Sequence, residues 1–409
     1  MPSPAPTNWS RDILLAIACA ALIVTVSMGV RQSFGLFMSP VGGDLGIGRE
    51  AFGFAIALQN LLFGIVQPFV GALSDRYGAR RVVLGGGVVY ALGLGWAASA
   101  TLPQGMLAAL GVLVGLGLSG TTFVVLMGNI GRWVRPEQRS MAFGLVTAGG
   151  SLGQFAVVPL AQLLISQFGW RAAMVGLLVL LLVSLLAIIG LKRGVPAAGA
   201  EERSAGSLGD ALRVAARHPH YWLLNGGFFV CGFHIAFVAT HFPAYLVDQG
   251  LAAGVGAAAL ALIGLFNIAG SWMFGLWGGR HSRPGLLGAL YAARAFSMAL
   301  FLIVPLSPAS VLVFAAVFGF LWLGTVPLTS GAVASMFGPR YLSTLYGVVF
   351  LSHQLGSFIG AWWAGRLYDQ VGSYDAVWQV SIALGLIAAA LSFATRDGAV
   401  APRPALAPS

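Results

Sequence analysis

The sequence has very few charged residues and almost no cysteine. Asp, Glu, Lys and Arg make up 8% of the 409 residues, whereas soluble domains carry about 25%, and hydrophobic residues reach 58%. This composition excludes a soluble globular protein and indicates an integral membrane protein. The two cysteines, Cys19 and Cys231, both lie in apolar segments. We therefore expect them to pack against neighbours and not to form a disulfide or a metal site.

Long apolar runs fill most of the chain. A helix needs roughly 20 apolar residues to cross about 30 Å of hydrocarbon. The apolar runs, read against the Gly, Pro and charged residues between them, predict twelve such helices. No cleavable signal peptide is evident, so we expect the first helix to remain as an anchor. The predicted limits are 12–38, 50–73, 81–101, 104–131, 140–167, 171–191, 220–246, 254–278, 285–305, 308–336, 342–367 and 375–394.

Basic residues fall almost entirely on one side of these helices. Of the 22 Lys and Arg residues, 17 lie at the termini and in the even-numbered loops. Only Arg49, Arg171 and Arg366 lie on the opposite side, and Arg31 and Arg294 lie inside helices. Positively charged loops stay in the cytoplasm, so both termini are predicted to be cytoplasmic. The net charge of +10 then reflects topology and attraction to anionic membrane lipid, and no aromatic-basic segment supports nucleic-acid binding.

A polar stretch divides the chain into two matching halves. Residues 193–219 are rich in Gly, Ala, Ser and charge, which predicts a cytoplasmic linker between bundles at 1–192 and 220–409. The segment 71–81 has a degenerate copy at 275–283, displaced by 204 residues. A repeat of this length predicts two six-helix bundles that face each other across a cavity and alternate access by rocking.

The turn between the second and third helices carries the clearest motif. An acidic residue, three arginines and two glycines stand between two apolar segments. Asp75 can face the positive end of a neighbouring helix while the arginines pair with its carboxylate, which predicts a latch at the cytoplasmic face. The alternative is that the arginines only set the membrane topology. The predicted gate residues are Gly71, Asp75, Arg76, Gly78, Arg80 and Arg81.

This motif, with Leu73 and Tyr77, resembles the signature of the major facilitator superfamily, and the resemblance covers essentially the whole chain. It implies an all-α membrane fold of twelve helices in two pseudo-symmetric bundles, and a role for the motif in gating. A narrower resemblance, to the monocarboxylate transporters and the oxalate-formate antiporters, implies a small organic anion as substrate. The residues that carry it are Arg31, Ser33, Phe34, Gly35, Phe37, Trp133, Arg135, Arg139, Ala142, Gly144, Gly149, Gly150, Gly153, Pro159, Gly169, Trp170 and Arg171.

No Asp or Glu lies near the middle of any predicted helix. A cationic substrate, or a proton relay through a buried carboxylate, therefore lacks its usual residue. Ionisable residues inside a membrane are costly and tend to face a cavity or a partner. Arg31 is the leading candidate for anion binding, because a guanidinium holds a carboxylate through two parallel hydrogen bonds; the alternative is a structural role near the helix end. For Arg294 in helix nine, structural pairing is favoured.

Further polar residues complete the predicted substrate site. Asn267 and Ser271 are four residues apart on one face of helix eight. The resemblance to animal monocarboxylate transporters implies an Asp and an Arg at these positions, and this departure leaves anion recognition to Arg31. Each polar residue could equally bridge two helices. The predicted substrate-binding residues are Arg31, Gln32, Gln59, Thr121, Asn267, Ser271 and His353.

Histidine is the remaining candidate for carrying a proton, because its reference pKa of about 6.5 lies near physiological pH. His234 and His241 in helix seven are the predicted proton-coupling residues. The alternatives are that each is a hydrogen-bonded packing residue, or that a proton and an anion move together with Arg31 as the only fixed charge.

Together these features predict a secondary active transporter for a small organic anion, with a monocarboxylate favoured, working by proton symport or anion exchange. We expect a monomer in a bacterial inner membrane, with no cofactor or metal and no enzymatic activity, because no nucleophile-base or metal-ligand constellation is present. A multidrug or metabolite exporter is the alternative. Residues 149–154, however, lack the Gly-Pro-Gly-Gly pattern that would make this helix resemble the proton-drug antiporters. A membrane sensor would need an output domain larger than the termini or linker.

Overall fold

The computed structural model describes residues 9–131, 133–134, 136–191, 208–337 and 342–398, and these residues form helices and turns without any β-strand. Ten helical segments in this part of the chain are long and apolar enough to cross a membrane, and one of them turns back at Gly169. With the 30-residue helix Leu342–Val371, they make twelve spans. These are α1 Arg11–Leu45, α2 Arg49–Tyr77, α3 Ala79–Ser99, α4 Pro103–Ile130, α5 and α6 as the two parts of Pro136–Leu185, α7 Pro219–Asp248, α8 Ala253–Gly278, α9 Arg283–Ile303, α10 Pro308–Phe337, α11 Leu342–Val371 and α12 Asp375–Phe393.

The predicted all-α fold and the twelve spans are confirmed, but α1 is longer than the sequence indicated. It continues through a 3₁₀ turn, Phe34–Phe37, into a second helix, Met38–Leu45. Asp44, predicted to lie in a loop, is therefore helical. α4 contains a π-helical stretch, Leu107–Val114, and α10 is interrupted between Phe320 and Thr325.

The two halves repeat each other in detail. Gly169 ends α5 with φ 79°, and Gly372, which follows α11, has φ 74°. This left-handed conformation favours glycine, because a Cβ would clash with the backbone. A Cβ on Gly153 of α5 would overlap the carbonyl of Thr25 in α1, and one on Gly356 of α11 would overlap that of Phe229 in α7. Equivalent small residues thus let equivalent helices touch in each half.

The segment between the halves contains one described helix, Leu208–Ala216. Trp222 in α7 donates a 2.8 Å hydrogen bond from its indole Nε1 to the carbonyl of Ala216. Part of the predicted linker is therefore helical and bonded to the second bundle. The domain limits themselves, at residues 192 and 220, stay a prediction.

The helices alternate in direction and define two faces. We call the face that carries Arg11 and the linker the terminal face, and the opposite one, with the loops after Leu45, Gly169 and Asp248, the far face. The two bundles meet along α2 with α11 and along α5 with α8. Ring contacts between α2 and α11 include an edge-to-face pair of Phe63 and Phe350 at 6.3 Å.

Candidate substrate cavity

A narrow cavity lies between the two bundles, where α1, α2, α7 and α11 come together. The centre of a water molecule has about 20 Å³ in which to move, which is room for about one water. The cavity in this conformation therefore fits only a very small ligand. Its lining residues are Arg31, Gln32, Phe34, Gly35, Ile56, Gln59, Asn60, Ile235, Ala236, Ala239, Thr240 and Ser357.

Arg31 supplies the only charge in this lining. Its Nη2 donates a hydrogen bond to the side-chain Oδ1 of Asn60 on α2, and its guanidinium lies 5.6 Å from the centroid of the Phe63 ring. No carboxylate among the described residues forms an ion pair with it. A guanidinium with a neutral carboxamide partner keeps its positive charge uncompensated, so it can bind a negatively charged group.

Two glutamines flank this arginine. Gln32 donates to Gln154 of α5 at 3.4 Å, and Gln154 in turn donates to the carbonyl of Leu260 in α8 at 2.9 Å. Gln59 donates from Nε2 to the carbonyl of Leu110 at 3.2 Å, while its buried Oε1 has no hydrogen-bond partner among the described residues. The cavity therefore combines one cation with carboxamides, of which Gln59 is held by a backbone carbonyl and Gln32 by the side chain of Gln154.

The other four predicted substrate residues lie outside the cavity lining. Thr121 is fully buried in α4 and donates to the carbonyl of Gly117 one turn earlier. Asn267 donates to Ser151 across the α5–α8 contact at 2.9 Å and accepts from Ser271 at 3.0 Å. Asn267 therefore matches the alternative in which such residues bridge helices, whereas Thr121 and Ser271 bond within their own helices. Their substrate roles are untested.

His353 lies beside the cavity without lining it. Its Nδ1 is 3.0 Å from the side-chain oxygen of Gln354 and its ring stacks on Phe350. Gln354 donates to the backbone carbonyl of Asn60 on α2 at 2.7 Å. His353 is thus one residue from a contact that joins the two bundles.

Arg294 has a structural environment. It is fully buried in α9, and its Nη2 donates to the carbonyls of Leu321 at 2.5 Å and Trp322 at 2.9 Å. These carbonyls belong to the interruption of α10, which leaves them without helical partners. The side-chain oxygen of Asn267 accepts from the N–H of Leu323 at 3.0 Å in the same interruption. Both residues therefore stabilise the break in α10.

The two predicted proton-coupling histidines have different neighbours. His234 is buried inside the second bundle with Nε2 2.8 Å from the carbonyl of Ser381. His241, also fully buried, lies nearer the far face, with Nδ1 2.9 Å from the hydroxyl of Tyr374 and Nε2 2.7 Å from the carbonyl of Ala361. Only His241 is connected, through Tyr374, to a residue of the first bundle.

The predicted gate at the terminal face is partly visible. Arg80 donates from Nε to the carbonyl of Leu191 at 2.7 Å and from Nη2 to that of Ile189, both at the end of the first bundle. Arg76 and Arg81 are exposed. Gly78 adopts φ 86°, which allows the tight turn, and a Cβ on Gly71 would contact only Val124 of α4 at 3.4 Å. The side chain of Asp75 lies outside the described part, so the latch stays a prediction.

A cluster at the far face was missed by the sequence analysis. Arg49 forms a bidentate ion pair with Asp248 of α7, with Nη1 2.5 Å from Oδ2 and Nη2 2.6 Å from Oδ1. Its guanidinium carbon lies 3.8 Å from the ring centroid of Tyr368. Asp369 of α11 accepts the backbone N–H groups of Arg49 and Glu50 at 3.0 and 2.8 Å. By the predicted helix limits these residues lie at helix ends or in loops, where charge is unremarkable. The sequence did contain one indication of this cluster: the few charged residues on this side carry both signs, so they can form ion pairs.

Glu50 completes this cluster. Its Oε1 accepts from the indole of Trp362 at 3.1 Å and lies 3.5 Å from Nη1 of Arg366, both on α11. We call Arg49, Glu50, Asp248 and Asp369 the far-face latch. Because every bond in it joins the first bundle to the second, it closes the cavity on that side.

Comparisons with known proteins agree with this architecture. The Major Facilitator Superfamily profile matches residues 18–361. The chain is 26% identical to the oxalate:formate antiporter of Oxalobacter formigenes over 390 residues, which cover 92% of this chain and 89% of that protein. It is 27% identical to monocarboxylate transporter 13 of Rattus norvegicus over 394 residues, covering 92% and 87%.

The fold also matches a solved structure. A bacterial homologue of the human lysosomal transporter Spinster, in an inward-facing and occupied conformation, superimposes with a TM-score of 0.74 at 15% identity, over 94% of this chain and 97% of that one. The predicted superfamily and its monocarboxylate and oxalate-formate relatives are thereby confirmed. The chain belongs to the Major Facilitator Superfamily, whose members are transporters.

Proposed function

We propose that this chain is a secondary active transporter of a small organic anion, with a monocarboxylate as the favoured substrate. The observation that carries the proposal is Arg31, which faces the cavity between the bundles without a carboxylate partner. A carboxylate entering the cavity would accept hydrogen bonds from this guanidinium and neutralise its charge.

The rest of the lining supports an anion over a cation. No Asp or Glu is among the lining residues. The hydrophobic side is formed by Phe34, Ile56 and Ile235, which suit the short carbon chain of a monocarboxylate. The names of two similar proteins, an oxalate:formate antiporter and a monocarboxylate transporter, point to the same substrate class.

The proposed orientation puts both termini in the cytoplasm of a bacterial inner membrane. The far face is then external, and the far-face latch closes the cavity to the outside in this conformation. Rocking of the predicted bundles, 1–192 and 220–409, would break the latch and open the cavity to the outside. We propose that the monomer carries out this cycle by proton symport or by anion exchange.

The test is transport by the purified protein in proteoliposomes. Uptake and counterflow of radiolabelled mono- and dicarboxylates are compared with those of amphiphilic cations and sugars, with a pH gradient imposed or collapsed. We expect carboxylate counterflow, and we expect Arg31→Ala to abolish it, while Arg31→Lys retains a reduced rate because it keeps the charge but loses the planar fork. Stimulation by the gradient indicates symport, and gradient-independent counterflow indicates exchange.

Ser184→Ala is the matched control, because Ser184 is a buried polar residue of α6 outside the predicted site and donates to the carbonyl of Leu181 in its own helix. It should leave carboxylate counterflow within about twofold of the parent, allowing for the loss of one weak hydrogen bond. Unchanged counterflow in Arg31→Ala would remove Arg31 from the site. Selective transport of cations would overturn the anion proposal in favour of an exporter, and ligand binding without any counterflow would favour a sensor.

A further inference from the structure

We propose that His241 is a proton-binding site that controls the far-face latch, so that protonation from the far side opens this face. The inference rests on the proposed alternating-access cycle and adds a regulatory ligand, the proton, to it. Of the two predicted proton-coupling histidines, His241 is the one whose hydrogen bonds reach the far-face latch, through Tyr374 to Arg49.

The hydrogen bonds fix the proton positions around His241. Arg49 donates from Nη1 to the hydroxyl oxygen of Tyr374 at 3.0 Å. The carbonyl of Ala361 can only accept, so a neutral His241 carries its one ring proton on Nε2, and Nδ1 accepts the hydroxyl proton of Tyr374 at 2.9 Å. Nε2 carries the proton and donates to the carbonyl of Ala361 at 2.7 Å. The closed far face therefore contains neutral His241 in one defined tautomer.

A second proton on His241 is incompatible with this arrangement. Both ring nitrogens of an imidazolium are donors, so Nδ1–H and the Nη1–H of Arg49 would point at the same Tyr374 oxygen. The hydroxyl proton of Tyr374 would lose its acceptor, and two cations would meet on one neutral oxygen in a fully buried site. The conflict is relieved when Arg49 moves away, which requires the latch to open.

The surrounding charges do not compensate for such a cation. The negative groups are already engaged: Asp248 pairs with Arg49, and Asp369 accepts backbone N–H groups at the start of α2. The charged and titratable groups near His241 are Arg49 on α2, Tyr245 and Asp248 on α7, Tyr368 and Asp369 on α11, and Tyr374 before α12.

The first bundle also packs directly on this histidine. A Cβ on Gly53 of α2 would overlap the carbonyl of Ala361 and lie 3.4 Å from Cε1 of His241. Opening the far face would separate α2 from α7 and α11 and expose the imidazole to the external solution. The proton is therefore taken up from, and returned to, the far side. By linkage, the open form binds the proton more tightly, and its population rises as the pH falls.

Spin-label distances test this without any substrate. Labels are placed on Gly43→Cys and Gly254→Cys, two open far-face positions in different bundles, in a Cys19→Ala, Cys231→Ser background. In nanodiscs, the long and short label distances report the open and closed far face. We expect the ratio of open to closed molecules to rise about tenfold when the pH falls from 8 to 5, within the usual range of coupling between two sites. His241→Gln should reduce this change to less than about twofold.

His234→Gln is the matched control, because His234 is an equally buried histidine of α7 bonded only within the second bundle. His234→Gln should keep the full change in label distances between pH 8 and pH 5. Tyr374→Phe removes the shared oxygen and should weaken the response, so the inference stays testable if His241→Gln fails to fold. A full response in His241→Gln, or none in the parent, would overturn the inference. A normal response without carboxylate counterflow would instead overturn the proposed function alone.

Discussion

At the far face, Arg49 of the first bundle pairs with Asp248 of the second, whereas at the terminal face Arg80 donates to carbonyls of its own bundle. Between residues that the structure describes, hydrogen bonds from one bundle to the other extend from the far face to Gln354 and Asn60 on one side and to Asn267 and Ser151 on the other. Within the described part of the chain, none of the hydrogen bonds between residues of the two bundles lies closer to the terminal face. The cavity is thus closed on one side by bonds that the proposed rocking motion would have to break.

The difference separates two kinds of interaction. A bond within one bundle persists in both conformations, so it contributes to folding stability and leaves their ratio unchanged. A bond between bundles exists in only one conformation, so it shifts the ratio by its full free energy. The following variants test this distinction with the label pair at positions 43 and 254, from the largest expected effect to the smallest.

Asp248→Asn should produce the largest opening of the far face. The ion pair is largely shielded, with side-chain exposures of 16% for Arg49 and 26% for Asp248, and it carries two short charge-assisted bonds. Loss of such bonds costs about 1.5–3 kcal/mol, so the ratio of open to closed molecules should rise about tenfold to a hundredfold. Label distances measured at pH 8 report this ratio. An unchanged distance distribution would show that the latch does not hold the face closed.

Gly35→Ala tests the same closure through packing. Gly35 lies in the 3₁₀ turn of α1, and a Cβ there would overlap the carbonyl of Ala239 and lie 3.1 Å from that of Thr240, both on α7. Overpacking costs about 1–3 kcal/mol, and here it falls only on the closed far face. We expect opening by about tenfold and a matching loss of substrate counterflow. Gly85→Ala in α3 is the control, because a Cβ there meets nothing within 4 Å; equal opening in both variants would contradict the packing argument.

The fold could be predicted from the sequence because three features report on it directly. The length of the apolar runs gives the number of spans, the basic loops give their orientation, and the repeated glycines give the two similar halves. Gly169 and Gly372 stand 203 positions apart, close to the 204-residue displacement of the repeat, and both adopt the left-handed conformation. The cavity was predicted in part. Arg31, Gln32 and Gln59 line it, whereas Thr121 lies outside the lining and donates a hydrogen bond to the backbone of its own helix, α4. Helical periodicity does not specify which polar side chain bonds within a helix and which faces a cavity. The pairing of Arg49 with Asp248, 199 positions away, depends on tertiary packing.

Arg80→Ala should affect stability without opening either face. Its guanidinium bonds the carbonyls of Ile189 and Leu191 at the end of the first bundle, where the helix leaves carbonyls unpaired. We expect a loss of about 1–3 kcal/mol, read as a lower melting temperature in detergent, with label distances unchanged. Arg81→Ala, at an exposed position, is the control and should change stability by less than about 0.5 kcal/mol. A shift in the label distances would instead give Arg80 a role between the bundles.

Asp44→Asn should have the smallest effect, although Asp44 lies at the far face. It pairs with Arg171 at 3.0 Å and accepts from the indole of Trp170 at 3.1 Å, and all three residues belong to the first bundle. The two charged side chains are 41% and 47% exposed, so solvent screens the pair and its contribution is about 0.2–1 kcal/mol. Because the pair is intact in both conformations, we expect a small loss of stability and no change in label distances. Opening comparable to that of Asp248→Asn would show that charge at the far face, and not bonding between the bundles, sets the conformation.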